Sequence, residues 1–572
     1  MSEQRIVIDP ITRIEGHLRI EVVVDENNVV KEAYSGSTLW RGIEQIVRNR
    51  DPRDVGFFTQ RICGVCTFSH YRAGIMAVEN ALGIKPPLNA ELTRTLMNNA
   101  LYLHDHVVHF YQLHGLDWVD ILSALKADVF KASEEAFKYC DTPYATGADK
   151  LKEVKERIAA FAKKGSLGPF ANAYWGHSTY KFSPEQNLIV LSHYLECLRV
   201  QRIMAQMMAI FGSKNPHPQS LTVGGVTCVM DLLNPSRLGE YLTKFQEVVE
   251  FVNRAYYPDI LMAAKAYGNE SSVLNDVGVS NLLCYDEFLV DKNDYLLKGG
   301  VILNGDISKV YDVNGDNITE EATRSWYKDD APLHPYDGIT EPNYTGLVDM
   351  KTIDGKGEMI DTKVFNEKGK YSWIKAPRYE GKPMQVGPLA SIVINYAKGN
   401  PRVVKIVDKF LQDSELPLSA VFSTLGRTAA RMLEAKLVAD HGLEAFNSLV
   451  QNLKTDQETC AKYVIDKDKE YKGNFQGNAP RGALSHWCRI KNGVIANYQA
   501  VVPSTWNASP KDAKNARGSY EECLIGLKIA DLTQPLEIIR KIHSYDPCIA
   551  CAVHVMDANG TKLGEYKINA NL

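Results

Sequence analysis

RICGVCTFSH at residues 61–70 and DPCIACAVH at residues 546–554 are the two segments that decide how this chain folds. Each holds a C-x-x-C pair, Cys63 with Cys66 and Cys548 with Cys551, whereas the other seven of the eleven cysteines are single. At a turn or helix start such a pair favours the thiolate, which is the form that binds metals. Because hundreds of residues separate the pairs, we expect the fold to close them into one site of four thiolates.

The spacing of the cysteines alone leaves the metal open. Four thiolates suit zinc, iron, or nickel together with iron, and a structural zinc site is the simplest interpretation. A redox-active dithiol is less favoured, since neither pair lies in a βαβ pattern of the thioredoxin type. A disulfide framework does not fit a chain of 572 residues, which can bury a large core without cross-links.

The composition is that of a globular enzyme. Hydrophobic residues make up 45% and charged residues 23%, which excludes disordered and collagen-like chains. The 65 basic and 69 acidic residues nearly balance, so nothing indicates binding to nucleic acid. No uninterrupted apolar run reaches membrane-spanning length, and the first residues lack the apolar core of a signal peptide. We therefore expect this chain to carry no signal peptide of its own.

Helical patterns dominate the chain, with short strands around them. Hairpins are predicted where residues 18–24 turn back at about residue 29, and around Asn492-Gly493. Residues 270–383 are rich in Gly, Asp, Tyr and Asn, as is typical of short strands and loops. Helices are predicted over residues 38–50, 89–115, 184 onward, 235–267, 388–453 and 536–543. The predicted fold is mainly α with smaller β parts (α+β), a central bundle of long helices with peripheral hairpins and short sheets.

The residues around the cysteine pairs identify a family. With five further motifs in the same order, the chain resembles the large subunit of nickel–iron hydrogenases, of the uptake type found in bacteria. The five are RIEGH at residues 13–17, WRGIE at 40–44, HDHVVHFY at 104–111, APRG at 479–482 and VVPSTWN at 501–507. This resemblance implies that Cys63 and Cys548 bind nickel alone, and that Cys66 and Cys551 bridge nickel to iron. In this family the iron carries cyanide and carbon monoxide.

The resemblance also implies a pocket around those diatomic ligands. Arg481 and Ser504 correspond to the hydrogen-bond donors to cyanide, and Pro480 and Val502 lie beside them in the sequence. His70 corresponds to a histidine next to a bridging cysteine.

Proton transfer is the other role that the family assigns. Splitting dihydrogen heterolytically needs a base beside the metals, and either Cys548 or Arg481 is expected to be the first base. Asp105 and Asp546 correspond to the carboxylates that orient this guanidinium. Glu15 corresponds to the group that accepts the proton and carries it outward.

Three further expectations concern metals and histidines. Glu44, the backbone carbonyl of Ala500 and His554 match the family's second metal site, usually magnesium, to which carboxylate and carbonyl oxygens are suited. The three histidines of residues 104–109 resemble a metal site by composition. Offsets of two and five do not share a helix face, so we predict that they serve packing and hydrogen bonding.

The end of the chain implies maturation. Mature large subunits of this family end at the residue that is His554 here, so residues 1–554 are expected to form one catalytic unit closed by both chain ends. Residues 555–572 would be a propeptide, removed by a dedicated endopeptidase after chaperones have inserted nickel.

A partner must receive the electrons. No cysteine run here resembles an iron–sulfur pattern, and the family supplies an iron–sulfur small subunit that carries the export signal. The expected function is reversible cleavage of dihydrogen into protons and electrons, at a periplasmic, membrane-associated site with a quinone or cytochrome behind the small subunit. The alternative is a hydrogen-sensing regulatory protein on the same scaffold, although sensors generally lack the cleavable tail.

Overall fold

The computed structural model describes residues 4–164, 168–171, 173–276, 278–328 and 330–552. The helices of the first half are α1 (Ile43–Ile46), α2 (Val55–Thr59), α3 (Thr67–Leu82), α4 (Leu88–Val108), α5 (Ile121–Ala124), α6 (Val129–Ala136), α7 (Ala148–Lys163), α8 (Pro184–Gly212), α9 (Val229–Leu232), α10 (Pro235–Phe251), α11 (Tyr257–Tyr267) and α12 (Ser271–Leu274). Those of the second half are α13 (Pro388–Ala397), α14 (Pro401–Ser414), α15 (Thr424–His441), α16 (Leu443–Asn452), α17 (Pro503–Asn507), α18 (Ser519–Leu524), α19 (Leu536–His543) and α20 (Ile549–Ala552). The predicted dominance of helices is confirmed.

Long helices form the centre of the molecule, as predicted. Helix α4 packs against α8, α15 and α16, and α8 also packs against α10. The start of α8 follows from its sequence: the Ser183 hydroxyl accepts the backbone N–H of Gln186 at 3.1 Å, and the Gln186 side chain accepts that of Ser183 at 3.0 Å. Across the described ranges, no helix has both the length and the apolar character needed to cross a membrane.

A buried ion pair joins α3, which begins directly after Cys66, to α4. The guanidinium of Arg94 donates to both carboxylate oxygens of Glu79 at 2.8 and 2.7 Å. Both side chains are almost fully buried, so removing one partner would cost about 3–5 kcal/mol. The first cysteine pair therefore sits at the end of a helix that is fixed firmly to the bundle.

Small sheets surround the bundle. Their strands are β1 (Gln4–Ile8), β2 (Leu18–Val24), β3 (Val30–Ser37), β4 (Leu221–Thr222), β5 (Gly225–Val226), β6 (Leu282–Cys284), β7 (Glu287–Asp291), β8 (Asp294–Leu297), β9 (Gly300–Ile302), β10 (Ile318–Glu321), β11 (Val348–Ile353), β12 (Met359–Val364), β13 (Ala376–Tyr379), β14 (Tyr471–Ala479), β15 (Gly482–Lys491) and β16 (Val494–Val501). The larger sheets have the orders β12-β11-β1-β2-β3 and β14-β15-β16. Both predicted hairpins, β2–β3 and β15–β16, are present.

One predicted helix is mostly wrong. Of residues 38–50 only Ile43–Ile46 are α-helical. The residue before this turn, Gly42, has a left-handed backbone with φ of 67°, which breaks a continuous helix. Upstream, the Trp40 ring stacks on Trp373 with centroids 5.3 Å apart. Packing of the aromatic ring and the glycine conformation override the local helical pattern.

Candidate metal centre

The first cysteine pair lies at the start of a helix. Cys63 ends a short 3-10 turn, and Cys66 directly precedes α3. The sulfur of Cys63 accepts the backbone N–H groups of Val65 at 3.2 Å and of Cys66 at 3.1 Å. Hydrogen bonds of this kind favour the thiolate. Cys63 and Cys66 are buried, whereas Gly64 and Val65 between them are exposed, so this pair of sulfurs lies just below the molecular surface.

Cys548, from the opposite end of the chain, meets the first pair. The sulfur of Cys548 lies 3.3 Å from that of Cys63 and 4.0 Å from that of Cys66. None of the three is in a disulfide. Two thiolates bound to one metal at about 2.3 Å each stand roughly 3.3–3.8 Å apart, so this donor set fits a thiolate-bound metal. The Cys551 side chain and His554 lie outside the described residues.

The loop that carries Glu15 is paired with the Cys548 segment. The carbonyl of Glu15 accepts the N–H of Ile549 at 2.7 Å, and its carboxylate accepts that of Ala550 at 3.0 Å. The same carboxylate oxygen lies 3.4 Å from the Cys548 sulfur. Burial, with the charge of Cys63, raises the pKa of Glu15 to about 7. The half-buried carboxyl group therefore joins the sulfur cluster to the side open to water.

Gly16 permits this close pairing, and Gly16→Ala is expected to weaken it. Its φ is +87°, and an added Cβ would lie 2.4 Å from the backbone nitrogen of Ala550. We expect a loss of stability of about 1–3 kcal/mol and a lower nickel content, measured by thermal unfolding and elemental analysis. Gly357→Ala is the matched control, because φ there is +83° and nothing lies within 4 Å of the added atom. Equal effects of the two substitutions would contradict the close-approach argument.

Arg481 occupies the tight turn between β14 and β15. Its guanidinium donates to Asp105 at 3.0 Å and lies 3.1 Å from a carboxylate oxygen of Asp546. All three side chains are buried. Burial alone would lower the pKa of Arg481, but the negative charges of Asp546, Cys548 and Asp105 raise it well above its usual value. The structure thus gathers the three predicted residues beside the sulfurs.

The remaining pocket residues are also close. The hydroxyl of Ser504, on α17, accepts the backbone N–H of Cys548 at 3.0 Å. Val502 precedes this helix and is fully buried, and Pro480 is buried in the β14–β15 turn beside Arg481.

The predicted magnesium residues Glu44 and Ala500 are neighbours. One carboxylate oxygen of Glu44 accepts the backbone N–H of Ala500 at 3.0 Å, and the other accepts the Thr340 hydroxyl. The ammonium group of Lys375 lies 3.6 Å from Glu44 and 3.9 Å from Glu320. A cation bound here would therefore share two carboxylates with a lysine that sequence reasoning did not single out.

Comparison with known proteins decides the family. A family model described as nickel-dependent hydrogenase matches residues 41–554, and a second, described as HoxL-like, matches residues 5–35. The chain belongs to the nickel-dependent hydrogenase family.

Individual relatives extend over almost the whole hydrogenase chain. It is 66% identical to the quinone-reactive Ni/Fe-hydrogenase large chain of Wolinella succinogenes, with 99% of this chain and 98% of that one covered. It is 45% identical to the uptake hydrogenase large subunit of Rhizobium leguminosarum, with the same coverage of 99% and 98%. The reduced Ni-Fe-Se hydrogenase structure of Desulfovibrio vulgaris Hildenborough matches with a TM-score of 0.75 at 30% identity, covering 96% of this chain and all of that one.

These matches confirm the predicted family and enzyme class. The chain is the catalytic large subunit of a nickel–iron hydrogenase of the uptake type, an oxidoreductase acting on dihydrogen with a small subunit as its partner. The centre is therefore nickel–iron rather than the structural zinc that the cysteine spacing alone had favoured. The relatives are named as hydrogenases, which supports the enzyme over the hydrogen sensor.

Sequence reasoning missed how Arg41 holds the hydrogenase centre. Its guanidinium donates to the carbonyls of Arg61 at 3.1 Å, of Ile62, and of Ala550 at 2.9 Å. One side chain thus ties the segment before Cys63 to the segment before Cys551. The position of Arg41 in the WRGIE motif was the available signal, but only Glu44 of that motif was given a role.

The histidines of residues 104–109 make hydrogen bonds, as predicted. His106 contacts Glu434 at 2.8 Å, and His109 donates to the carbonyl of His543 at 2.8 Å.

A second cluster of this hydrogenase was not predicted: Asp117 accepts from His114 at 2.9 Å and from His543 at 2.6 Å. No motif in the sequence joins residues so far apart.

Proposed function

We propose that Cys63, Cys66, Cys548 and Cys551 would hold the nickel–iron centre of this hydrogenase. The observation that carries the proposal is the convergence of three sulfurs within 4.8 Å of one another. The bound metals supply Lewis acidity that polarises dihydrogen and an acceptor for its electrons. Soft thiolate sulfurs suit such metals.

The surrounding residues are proposed to hold the iron's cyanide and carbon monoxide ligands. Arg481 and Ser504 offer hydrogen-bond donors beside Cys548, and Pro480 and Val502 provide an apolar wall. The buried pair with Asp105 and Asp546 fixes the direction of the guanidinium and leaves no freedom for it to swing away.

Proton release is proposed to run from Cys548 to Glu15. Between the two candidates for first base, the geometry favours Cys548, because its sulfur is the one that lies 3.4 Å from the Glu15 carboxylate. Glu15 takes the proton at this carboxylate oxygen and, being half-buried, passes it toward water. Arg481, engaged by two carboxylates, orients the pocket instead.

We also propose a magnesium ion near the carboxylate of Glu44. Glu44, the carbonyl of Ala500 and His554 would bind it, with waters completing the oxygen-rich shell that this cation prefers. The support is the direct contact of Glu44 with the backbone of Ala500.

Electrons are proposed to leave through iron–sulfur clusters of the small subunit toward a quinone or a cytochrome at the membrane. The Wolinella succinogenes relative is named as quinone-reactive, which supports a quinone. We propose a periplasmic enzyme that is attached to the membrane through its partner. Gly64 and Val65, which lie between the proposed ligands Cys63 and Cys66, are exposed at the surface. The small subunit could therefore approach the centre at these two residues.

Maturation is proposed to end with removal of residues 555–572. Nickel-insertion chaperones and an endopeptidase would act on the precursor, leaving residues 1–554 as one catalytic unit. Cys548 is packed between Glu15, Cys63 and Ser504. This packing supports a maturation order in which the C-terminal segment folds into the site as the last step.

Elemental analysis and intact mass of the active heterodimer, purified without air from its native source, test these proposals together. We expect one nickel for each large chain, one magnesium, and a large-chain mass that ends at His554. Nickel is the decisive count, because clusters of the small subunit add iron. Zinc in place of nickel would overturn the proposed ligand set, and a full-length active chain would overturn the processing.

A further inference from the structure

A chain of three buried aromatic side chains approaches the centre from the sheet β14-β15-β16. His70 lies on α3, one turn after Cys66; His486 lies on β15 and Tyr498 on β16. Nδ1 of His70 is 3.1 Å from Nε2 of His486, and Nδ1 of His486 is 2.6 Å from the hydroxyl of Tyr498. The exposed fraction of each residue is 1% or less, so bulk water does not reach these groups.

The hydroxyl of Tyr498 fixes the direction of these hydrogen bonds. Among the described residues, Nδ1 of His486 is the hydroxyl's hydrogen-bond partner. If His486 donated to the hydroxyl, the phenol hydrogen would be buried without an acceptor among the described residues, which is unfavourable. Burial raises the pKa of Tyr498 well above its usual value, so the phenol keeps its hydrogen. The hydroxyl therefore donates to Nδ1 of His486.

The tautomers of both histidines follow from that donation. With Nδ1 occupied as an acceptor, a neutral His486 carries its hydrogen on Nε2 and donates it to Nδ1 of His70. A neutral His70 then carries its own hydrogen on Nε2. Both rings are buried, and loss of hydration disfavours a charged imidazolium.

We propose that Tyr498 and His486 are positioning residues that hold the hydrogen of His70 on Nε2, and that this N–H faces the thiolates. His70 then presents a hydrogen-bond donor, rather than a lone pair, to the thiolates. Such a donor stabilises negative charge on sulfur and so favours the reduced centre. The inference rests on the proposed cysteine ligand set, which is tested separately by the nickel content of the unmodified enzyme.

Tyr498→Phe in the intact heterodimer tests the relay. We expect nickel to be retained, the nickel electron paramagnetic resonance signal to change, and the midpoint potential to fall. At a fixed potential the ratio of oxidised to reduced centre should rise about two- to tenfold, the value of one neutral hydrogen bond. Tyr241→Phe is the matched control, since its buried hydroxyl donates to the carbonyl of Leu96 at 2.8 Å within the helix bundle.

A rescue separates positioning from simple loss of packing. The amide nitrogen of glutamine lies about as far from Cβ as Nε2 of histidine does. Because an amide NH2 group is always a donor, glutamine at position 486 donates to His70 with or without the hydroxyl of Tyr498. Adding His486→Gln to Tyr498→Phe should therefore return the signal and potential toward those of the unmodified enzyme. An unchanged signal and potential in nickel-loaded Tyr498→Phe would overturn the proposal.

A second pair of variants decides the matter if Tyr498→Phe binds no nickel. His486→Gln keeps a donor to His70, whereas His486→Leu removes it. A shifted nickel signal in the leucine variant alone supports the relay, and equal signals in both variants contradict it. Absence of nickel from the unmodified enzyme would instead reject the ligand set on which the relay rests.

Discussion

Glu15→Gln is expected to leave nickel in place and to lower hydrogen oxidation by roughly 10²- to 10⁴-fold, the contribution of one positioned acid–base group. Glutamine keeps the size of the side chain and the acceptor for the N–H of Ala550. It cannot take up a proton, as the proposed route from Cys548 requires. The hydrogen-cleaving centre is therefore assembled but loses its connection to water.

Isotope exchange measures that connection directly. The variant should fail to exchange deuterium gas with water at the rate of the unmodified enzyme, while its nickel content and unfolding temperature stay within error. Glu32→Gln, on β3 and partly exposed, is the control for loss of one carboxylate. Unchanged exchange and turnover in Glu15→Gln would remove Glu15 from the proton route.

Cys548→Ser should abolish nickel binding and hydrogen oxidation together. The hydroxyl of serine is harder and far less acidic than a thiol, so it does not replace a thiolate as a ligand to a soft metal. The sulfur of Cys548 is also the one that contacts Cys63, Cys66 and Glu15. Losing it removes a ligand and the proposed first base in one step.

Cys523→Ser provides the control for a buried cysteine outside the centre. Its thiol is buried and donates to the carbonyl of Tyr520 at 3.3 Å, a bond that a hydroxyl can also make. Nickel per chain should match that of the unmodified enzyme in this variant and fall to background in Cys548→Ser. Stoichiometric nickel in Cys548→Ser would refute its assignment as a ligand.

Local patterns in the sequence predicted much of the fold. The capping residues Ser183 and Gln186, the Asn492-Gly493 turn and the helix over residues 536–543 all have the predicted structure. Each depends on chemistry within a few residues. The failure at residues 38–50 has the opposite cause, because there a contact with Trp373 decides the conformation.

Motifs gave candidate residues for the centre but not the contacts that hold them in place. The structure places Cys63, Cys548 and Arg481 together, as the resemblance implied. Arg41 donates hydrogen bonds to backbone carbonyls. Every residue type has such a carbonyl, so the sequence gives no sign of which residues accept these bonds. The Tyr498–His486 pair depends on strand register, which sequence spacing alone does not reveal.

The contact of Glu15 with Cys548 also limits when, during translation, the thiolate site can form. The two residues are 533 positions apart in the chain. At about 5–20 residues per second, a ribosome needs roughly half a minute to two minutes to pass from one to the other. Throughout that interval the Glu15 loop has no Cys548 segment to pair with, and only the Cys63 pair of the four proposed ligands has been synthesised. Translation itself thus delays assembly of the thiolate site until nearly the entire polypeptide has emerged.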